Sequence, residues 1–434
     1  MSGHLWRALR AAAAVAAAAV VALVLAACGD ERAGGERKLG APEPAPGFDG
    51  RTIKLGVLTP LSGPVAVTGL PITAGNEVYF AAVNARGGIA GKYRVKLVEE
   101  DTRYVPDVAV QKYNKLKDDV AAFAQILGTP PTLAVLQQLR RDGIIASPAS
   151  GDATWVREPN LLPLGAPYQV HAVNGLDYYV KHGGGKDKTI CSIVQDDAYG
   201  DAGEAGVDLA AGSLRFEVAT RQRFRLGDND MTGQVQRLRR SDCDAVFIAA
   251  GPADAGTIWA TAAKLGFKPR WIAQAPVWID ELASSPLSAY LAETTWIVFE
   301  GTEWGDRSVP GMRRLLADIK AHRPDQEPDY YFSFGYNQAR AMTALLEQAV
   351  ELGDLSREGL LRASAELGTV SFGGLLGDYR YGPADKRQPP RQSTIFAVDP
   401  SKPVGLARVE YQYCLLYTSP SPRDVEESRM PSSA

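Results

Sequence analysis

At 434 residues the chain is longer than a single hydrophobic core usually serves, so two domains are expected. Its 45% hydrophobic and 22% charged residues are those of an ordinary globular protein, and the formal net charge is −3. No long basic stripe occurs, which excludes a protein built around a nucleic-acid surface.

The chain opens with Arg7 and Arg10, then a short apolar core of Ala, Val and Leu over residues 11–25. This core falls short of the ~20 apolar residues that a membrane-spanning helix needs. It ends in Leu25-Ala26-Ala27-Cys28, which resembles a bacterial lipobox, with small residues at the cleavage site and a thiol to carry the lipid. Residues 1–27 are therefore expected to be a lipoprotein signal peptide, and Cys28 the lipidated residue of an extracytoplasmic protein anchored to the bacterial cell membrane. Residues 28–51, rich in Gly, Pro, Ala and charge without periodicity, read as a flexible tether. Of the other cysteines, Cys191, Cys243 and Cys414, no two form a C-x-x-C motif, and His171, His182 and His322 are far apart. No metal and no cofactor are expected.

Residues 53–91 set the pattern for the rest of the chain. A short apolar run over 53–58 has strand length and is bounded by turn residues. A loop rich in Pro, Ser and Gly comes next, then a helix with Gly75, Val78, Tyr79, Ala82 and Val83 on one face. Gly87-Gly88 stops it. Strand, loop and packed helix make the opening of a βαβ unit, and the loop leaving such a strand is where ligands sit. The residues G-V-x-x-P-L-S-G-P, then a helix ending in N-A-R-G-G-I-A-G, are similar to the branched-chain amino acid (Leu/Ile/Val-binding) type of periplasmic binding protein. The resemblance extends over about residues 53–413. It implies the substrate-binding component of an ABC importer: two lobes of the type I fold, joined by a three-crossing hinge, closing on a small-molecule ligand and delivering it to permease subunits.

Strands are next expected at 95–98, 121–127 and 144–146, separated by helices, completing an α/β lobe. A helix over 170–180 begins a second series, with strands at 189–194, 216–220, 245–249, 271–273 and 296–299. Cys191 and Cys243 fall near the starts of two strands expected to be parallel neighbours, ~4.8 Å apart. They form a disulfide if the side chains converge, and two buried thiols otherwise. Helices are expected at 312–320, 334–352 and 358–367. The resemblance implies that these return to the first lobe, that a terminal hairpin over 372–399 crosses again, and that the hinge passes near Pro167, Glu300 and Gly377. The expected lobes are then 52–168 with 301–376, and 169–300 with 377–413. Residues 414–434 resemble a translated sequencing adapter and are expected to carry no function.

No G-x-S-x-G elbow occurs, the histidines have no evident Ser or Cys partner, and Gly183-Gly184-Gly185-Lys186 lacks P-loop spacing. Glu99-Glu100-Asp101 and Asp196-Asp197 read as solvated or helix-capping acids. Catalysis is not expected. Loops of the first lobe instead offer Ser62, Thr68, Thr129, Thr132, Ala149, Ser150 and Gly151, hydroxyls and backbone N–H groups ahead of helices, suited to an anionic or carbonyl group. Their alternative role is helix capping. The resemblance implies that a ligand carboxylate is held here, with Thr132 near the family's serine and Ala149 and Gly151 at its fourth-loop positions. On the second lobe Tyr199 matches the family's hinge-side tyrosine, while Gly251 stands where leucine-type binders have a tyrosine. Ala275 stands where they have the glutamate that holds the α-ammonium, and Trp278 comes three residues later. Asp280 or Glu281 would replace that glutamate only if the loop folds inward. The expected ligand is thus a small carboxylate or amide without a free amino group. A ligand-sensing lipoprotein of the same fold, acting on a membrane receptor, is the alternative.

Overall fold

The computed structural model describes residues 41–414. The signal peptide, Cys28, most of the tether and residues 415–434 lie outside the described residues.

In the first lobe β1 (Thr52–Thr59) leads through a loop to α1 (Ala66–Ala85). Then come β2 (Arg94–Asp101), α2 (Pro106–Leu116), β3 (Ala122–Leu127), α3 (Thr129–Asp142) and β4 (Ala146–Ala149). The four strands pair in parallel in the order β2-β1-β3-β4, and helices cover both faces. β3 is buried throughout, as a strand covered on both sides must be.

The second lobe begins with α4 (Tyr168–His182) and β5 (Ile190–Gln195). It continues through α5 (Ala198–Leu214), β6 (Val218–Phe224), α6 (Thr232–Arg240), β7 (Ala245–Ala249), α7 (Pro252–Lys264) and β8 (Arg270–Gln274). The short helices α8 (Glu281–Ser284) and α9 (Ser288–Thr294) lead into β9 (Thr295–Phe299). Three helices come after it, α10 (Pro310–His322), α11 (Tyr330–Glu351) and α12 (Arg357–Glu366), then β10 (Thr369–Val370) and β11 (Tyr379–Arg380). The hairpin β12 (Ser393–Val398) and β13 (Leu406–Tyr413) ends the described chain. The second sheet runs β13-β12-β9-β8-β7-β5-β6, parallel from β6 to β9 and antiparallel in the hairpin.

α11 lies back on α1 and shares its core, where Met342, Leu345 and Leu346 meet Leu55, Phe80 and Val83. The two helices cross at backbone contact. A Cβ at Gly335 would run into the carbonyl of Ile72, and one at Gly75 into that of Phe332. Beneath the cleft a buried amide chain ties the elements together: Asn76 of α1 donates to Gln125 of β3 at 3.0 Å, and Gln125 donates to Thr59 at 2.8 Å. Cys191 and Cys243 are joined as a disulfide with Cα atoms 5.9 Å apart, so the side chains of neighbouring β5 and β7 do converge.

Five expectations shift. The tether ends before residue 51, because Phe48 is buried in the core of the first lobe, bridges to Ala45 and Ile53, and meets the Tyr93 ring edge to face. The fourth strand is 146–149 rather than 144–146, because the Ile144 amide caps α3 through the Leu139 carbonyl, 3.0 Å away. As the edge of its sheet, β4 accommodates Pro148. Strand β6 starts at Val218 rather than 216, since the Phe216 amide still bonds to Ala211 at the end of α5. The terminal hairpin is 393–413, not 372–399. Finally, the third crossing comes later than Gly377. Tyr379 and Tyr381 belong to the core of the first lobe, and Arg387 donates to the Glu158 and Leu161 carbonyls. The Arg391 carbonyl already accepts from Asn174 of the second lobe, so the chain crosses between 387 and 391.

Candidate ligand cleft

The loops leaving β1, β3 and β4 face those leaving β5, β7 and β8 across a cleft with two connected chambers. Thr68, Leu127, Ala149, Tyr168 and Pro276 line both. The outer chamber adds Thr129, Tyr104, Gln195, Tyr199, Gly251 and Asp254. The inner chamber runs down to the hinge and is mainly apolar, with Ile72, Trp278, Phe299, Met312, Tyr331 and Leu375 among its walls. Its volume is about 140 Å³, close to the ~150 Å³ cavity that holds a benzene molecule.

Of the residues expected at the site, Thr68, Ala149, Ser150, Gly151, Ala275 and Trp278 line the inner chamber. Thr129, Tyr199 and Gly251 line the outer one. Two fall elsewhere. Ser62 is exposed and donates to Asp101 at 2.6 Å, capping the end of β2 instead of facing the cleft. Thr132 sits in the first turn of α3, its hydroxyl buried without a partner among the described residues, and it lines neither chamber. The remaining hydroxyls are engaged: Thr129 and Ser150 bond to each other at 2.7 Å, Trp155 donates to Ser150 at 3.0 Å, and Thr68 donates to Val65 at 2.9 Å. Trp278 offers a ligand only its ring face, since its indole N–H donates to Val404 at 2.9 Å.

Tyr199 sits at the start of α5, where Asp197 caps the helix by accepting from the Tyr199 and Gly200 amides. Its ring meets that of Tyr168 edge to face with centroids 5.2 Å apart, and its hydroxyl donates to the Ala275 carbonyl at 3.4 Å. Burial pushes the Tyr199 and Tyr331 phenols well above their ordinary range, so both are neutral donors. The Tyr331 hydroxyl lacks a partner of hydrogen-bond geometry and lines the inner chamber.

Four acids and one base matter electrostatically. Asp280 and Glu281 stay outside both chambers, so neither replaces the glutamate absent at Ala275. Asp254 does line the outer chamber beside Gly251 and accepts from the Gly227 amide at 2.9 Å; burial raises its carboxyl. Glu300, at the floor of the inner chamber, is pushed up to about 8 by burial, partly offset by the Ala166 and Gly377 amides. His171 is driven down to about 4 by burial and bonds to Ser393 through Nδ1 at 3.0 Å. Tyr104, Tyr168, Tyr331, Asp254, Glu300 and His171 are not among the residues that the sequence places at the site. Tyr168 carries a usable signal, an aromatic directly after the hinge Pro167 at a helix start. Asp254 comes three residues after Gly251 and Glu300 directly after β9, so both sit beside positions that the strand pattern marks, whereas Tyr104 and Tyr331 are brought in by the fold, which spacing does not reveal.

Two α/β lobes joined by three chain passages, with ligand-sized chambers between them, define a two-lobed solute-binding protein. Residues 52–403 match the family described as Periplasmic binding protein, and the chain belongs to that family. It is a substrate-binding protein of the kind that serves ABC transporters, an extracytoplasmic class of binders and not of enzymes. Among curated relatives, an amino acid binding protein of Pseudomonas aeruginosa is 25% identical over 308 residues, 68% of this chain and 79% of that one. A Leu/Ile/Val-binding protein of Citrobacter freundii is 23% identical, over 71% of this chain and 82% of that one. Among solved structures, a fatty acid ABC transporter substrate-binding protein from Thermomonospora curvata superposes with a TM-score of 0.79 at 26% identity, covering 88% of this chain and 98% of that one. A branched-chain amino acid ABC transporter protein from Thermus thermophilus with bound valine gives 0.73 at 17% identity, over 87% and 99%.

Proposed function

We propose that this protein is a lipid-anchored solute-binding component of an ABC importer whose ligand is a small carboxylate or amide with an apolar body and no free α-amino group. Residues 1–27 are its signal peptide, the stretch from Cys28 to about residue 44 its tether, and Cys28 its point of membrane attachment. The observation that carries the ligand reading is the inner chamber: its walls are apolar and aromatic, and its acid, Glu300, is neutral at neutral pH. A buried ammonium there would have to draw the proton from Glu300, whose Oε2 already accepts from the Ala166 amide at 2.7 Å, and would find no other carboxylate lining the inner chamber. The Thermomonospora curvata relative, named for fatty acids, supports an apolar body. The polar head belongs beside Thr68, Ser150 and Tyr199, with the body in the inner chamber.

One observation favours a second reading. Asp254 in the outer chamber forms no ion pair among the described residues, and an amino acid entering head-first would supply a cation for it. The curated relatives named for amino acids agree with it. A thermal-shift screen of amino acids, amides, keto acids and aromatic acids separates the two. The leading reading expects acids or amides lacking an amino group to raise the melting temperature most. Stabilisation by leucine that disappears in Asp254→Asn would establish the second.

A further inference from the structure

The chain's passages between lobes meet at one side chain. Glu300 lies directly after β9 on the second passage, and its Oε2 accepts from the Ala166 amide of the first at 2.7 Å. Its Oε1 is buried beside Gly377 at the start of the strap that leads into the third passage, and the Gly377 amide approaches it without reaching full hydrogen-bond geometry. Both neighbours are glycines for want of room. A Cβ at Gly165, whose φ is +71°, would collide with Oε2, and one at Gly377 would lie 3.2 Å from Oε1. The strap is doubled here, since a Cβ at Gly377 would also meet Pro390 at 2.6 Å.

We propose that Glu300 is the positioning residue of the hinge: its undissociated carboxyl holds the first passage against the strap, and loss of its proton loosens the two. The chemistry is a consequence of burial. A carboxylic acid can accept from Ala166 through one oxygen while the other sits beside Gly377 without needing a counter-charge. A carboxylate in the same place is a desolvated charge, and the structure relieves it by admitting water, which requires the passages to separate.

The groups around Glu300 do not compensate. The titratable residues on the elements packed there are Tyr168 and His171 on α4, Tyr330 and Tyr331 on α11, Asp378 next to Gly377, its carboxylate accepting from the Phe372 amide, Tyr379 on β11, Tyr381 just after it, Arg387 on the strap and Tyr411 on β13. None forms an ion pair with Glu300 among the described residues. Arg387 is spent on the Glu158 and Leu161 carbonyls. His171 is already neutral above about 4, and burial raises Tyr330, Tyr379 and Tyr381 above their ordinary range. Glu300 is therefore the hinge group whose charge changes between mildly acidic and mildly alkaline solution. Because the inner chamber is floored by it, the same proton governs how firmly the cleft stays closed.

Hydrogen exchange read by mass spectrometry on ligand-free protein tests this without knowledge of the ligand. Peptides containing Ala166 and Gly377 are compared with a β5 peptide at pH 6.5 and 9.0, each corrected for intrinsic exchange. In the wild type, hinge protection is expected to fall about tenfold or more on going to pH 9.0 while β5 stays protected. In Glu300→Gln, which keeps shape and hydrogen bonding but does not titrate, hinge protection is expected to hold at both values. Unchanged wild-type protection overturns the proposal, and so does an equal loss in Glu300→Gln. If that variant does not fold, the wild-type contrast between hinge and β5 decides alone.

Discussion

At the scale of single residues, the proposed site rests on a few buried polar groups in apolar surroundings. Tyr199 is one, held by the Asp197 cap below it and the Tyr168 ring beside it. Tyr199→Ala is expected to weaken ligand binding by about 1–3 kcal/mol through loss of a buried aromatic contact. Tyr199→Phe should cost less, roughly 0.5–1.5 kcal/mol for one hydrogen bond. Titration calorimetry with whichever ligand the thermal-shift screen identifies measures both. Glu300 makes a stability prediction with a definite sign. Its carboxyl is raised from 4.5 to about 8 in the folded protein. Below the lower value both states hold the proton. Between the two the unfolded chain releases it and the folded one does not, so stability falls as pH rises, and the loss is complete near pH 8. Glu300→Gln removes this loss. Its advantage over wild type in urea unfolding should grow from pH 5 to 8, at up to ~1.4 kcal/mol per pH unit. A constant difference would refute the assignment. Strand ends mark the loops that carry Tyr199, Gly251 and Ala275, since loops after strands are where an α/β sheet presents its ligand, but the choice of these three residues within them comes from the family resemblance. Glu300 is legible there only as a hinge position, since its neutral state depends on Gly165 and Gly377, far away in the chain, closing over it.

At the scale of elements, long periodic segments are legible in the sequence and edges are not. The core strands β1, β3, β5 and β7 announce themselves as apolar runs because both faces are covered. Edge strands β4 and β6 drift by a few residues, because pairing on one side leaves polar and proline residues admissible and blurs the pattern. Helix α5 is rich in Gly and Ala and shows no clear apolar stripe, yet Asp197 caps it firmly. The close crossing of α1 and α11 explains Gly75, which periodicity alone presents as part of an apolar face. Gly335→Ala should force these helices apart and cost about 1–3 kcal/mol, as overpacking does. Thermal unfolding checks it, and an unchanged melting temperature would mean the helices have slack. The Cys191–Cys243 disulfide links β5 to the start of β7 across 52 residues. By loop-closure entropy its reduction should cost about 4 kcal/mol. Thiol counting on unfolded, unreduced protein truncated before Cys414 should find none; two would mean the pair is not bridged.

At the scale of the whole molecule, two lobes of similar build enclose a chamber that neither makes alone. The inner chamber draws on β4 and α11 from the first lobe, the loop after β8 from the second, and the passages between them. On the proposed reading, an apolar ligand seated there would touch the hinge itself, so occupancy and closure would be two aspects of one packing event. The sequence carries this architecture through its resemblance more than its periodicity, which shows two α/β series but not where the chain returns; hence the third passage is expected too early. At this scale the anchoring claim is also tested: Cys28→Ser should leave an unprocessed precursor that incorporates no radiolabelled palmitate, and equal labelling of both forms would contradict it. The central claim is that the ligand is an apolar-bodied acid or amide and not an α-amino acid. Calorimetry on lipid-free protein, first stripped of co-purified ligand, compares leucine with its keto acid, 4-methyl-2-oxopentanoate, and with phenylacetate. The account expects micromolar or tighter binding of at least one of the two acids and leucine at least tenfold weaker. Micromolar binding of leucine, with both acids far weaker, would contradict it.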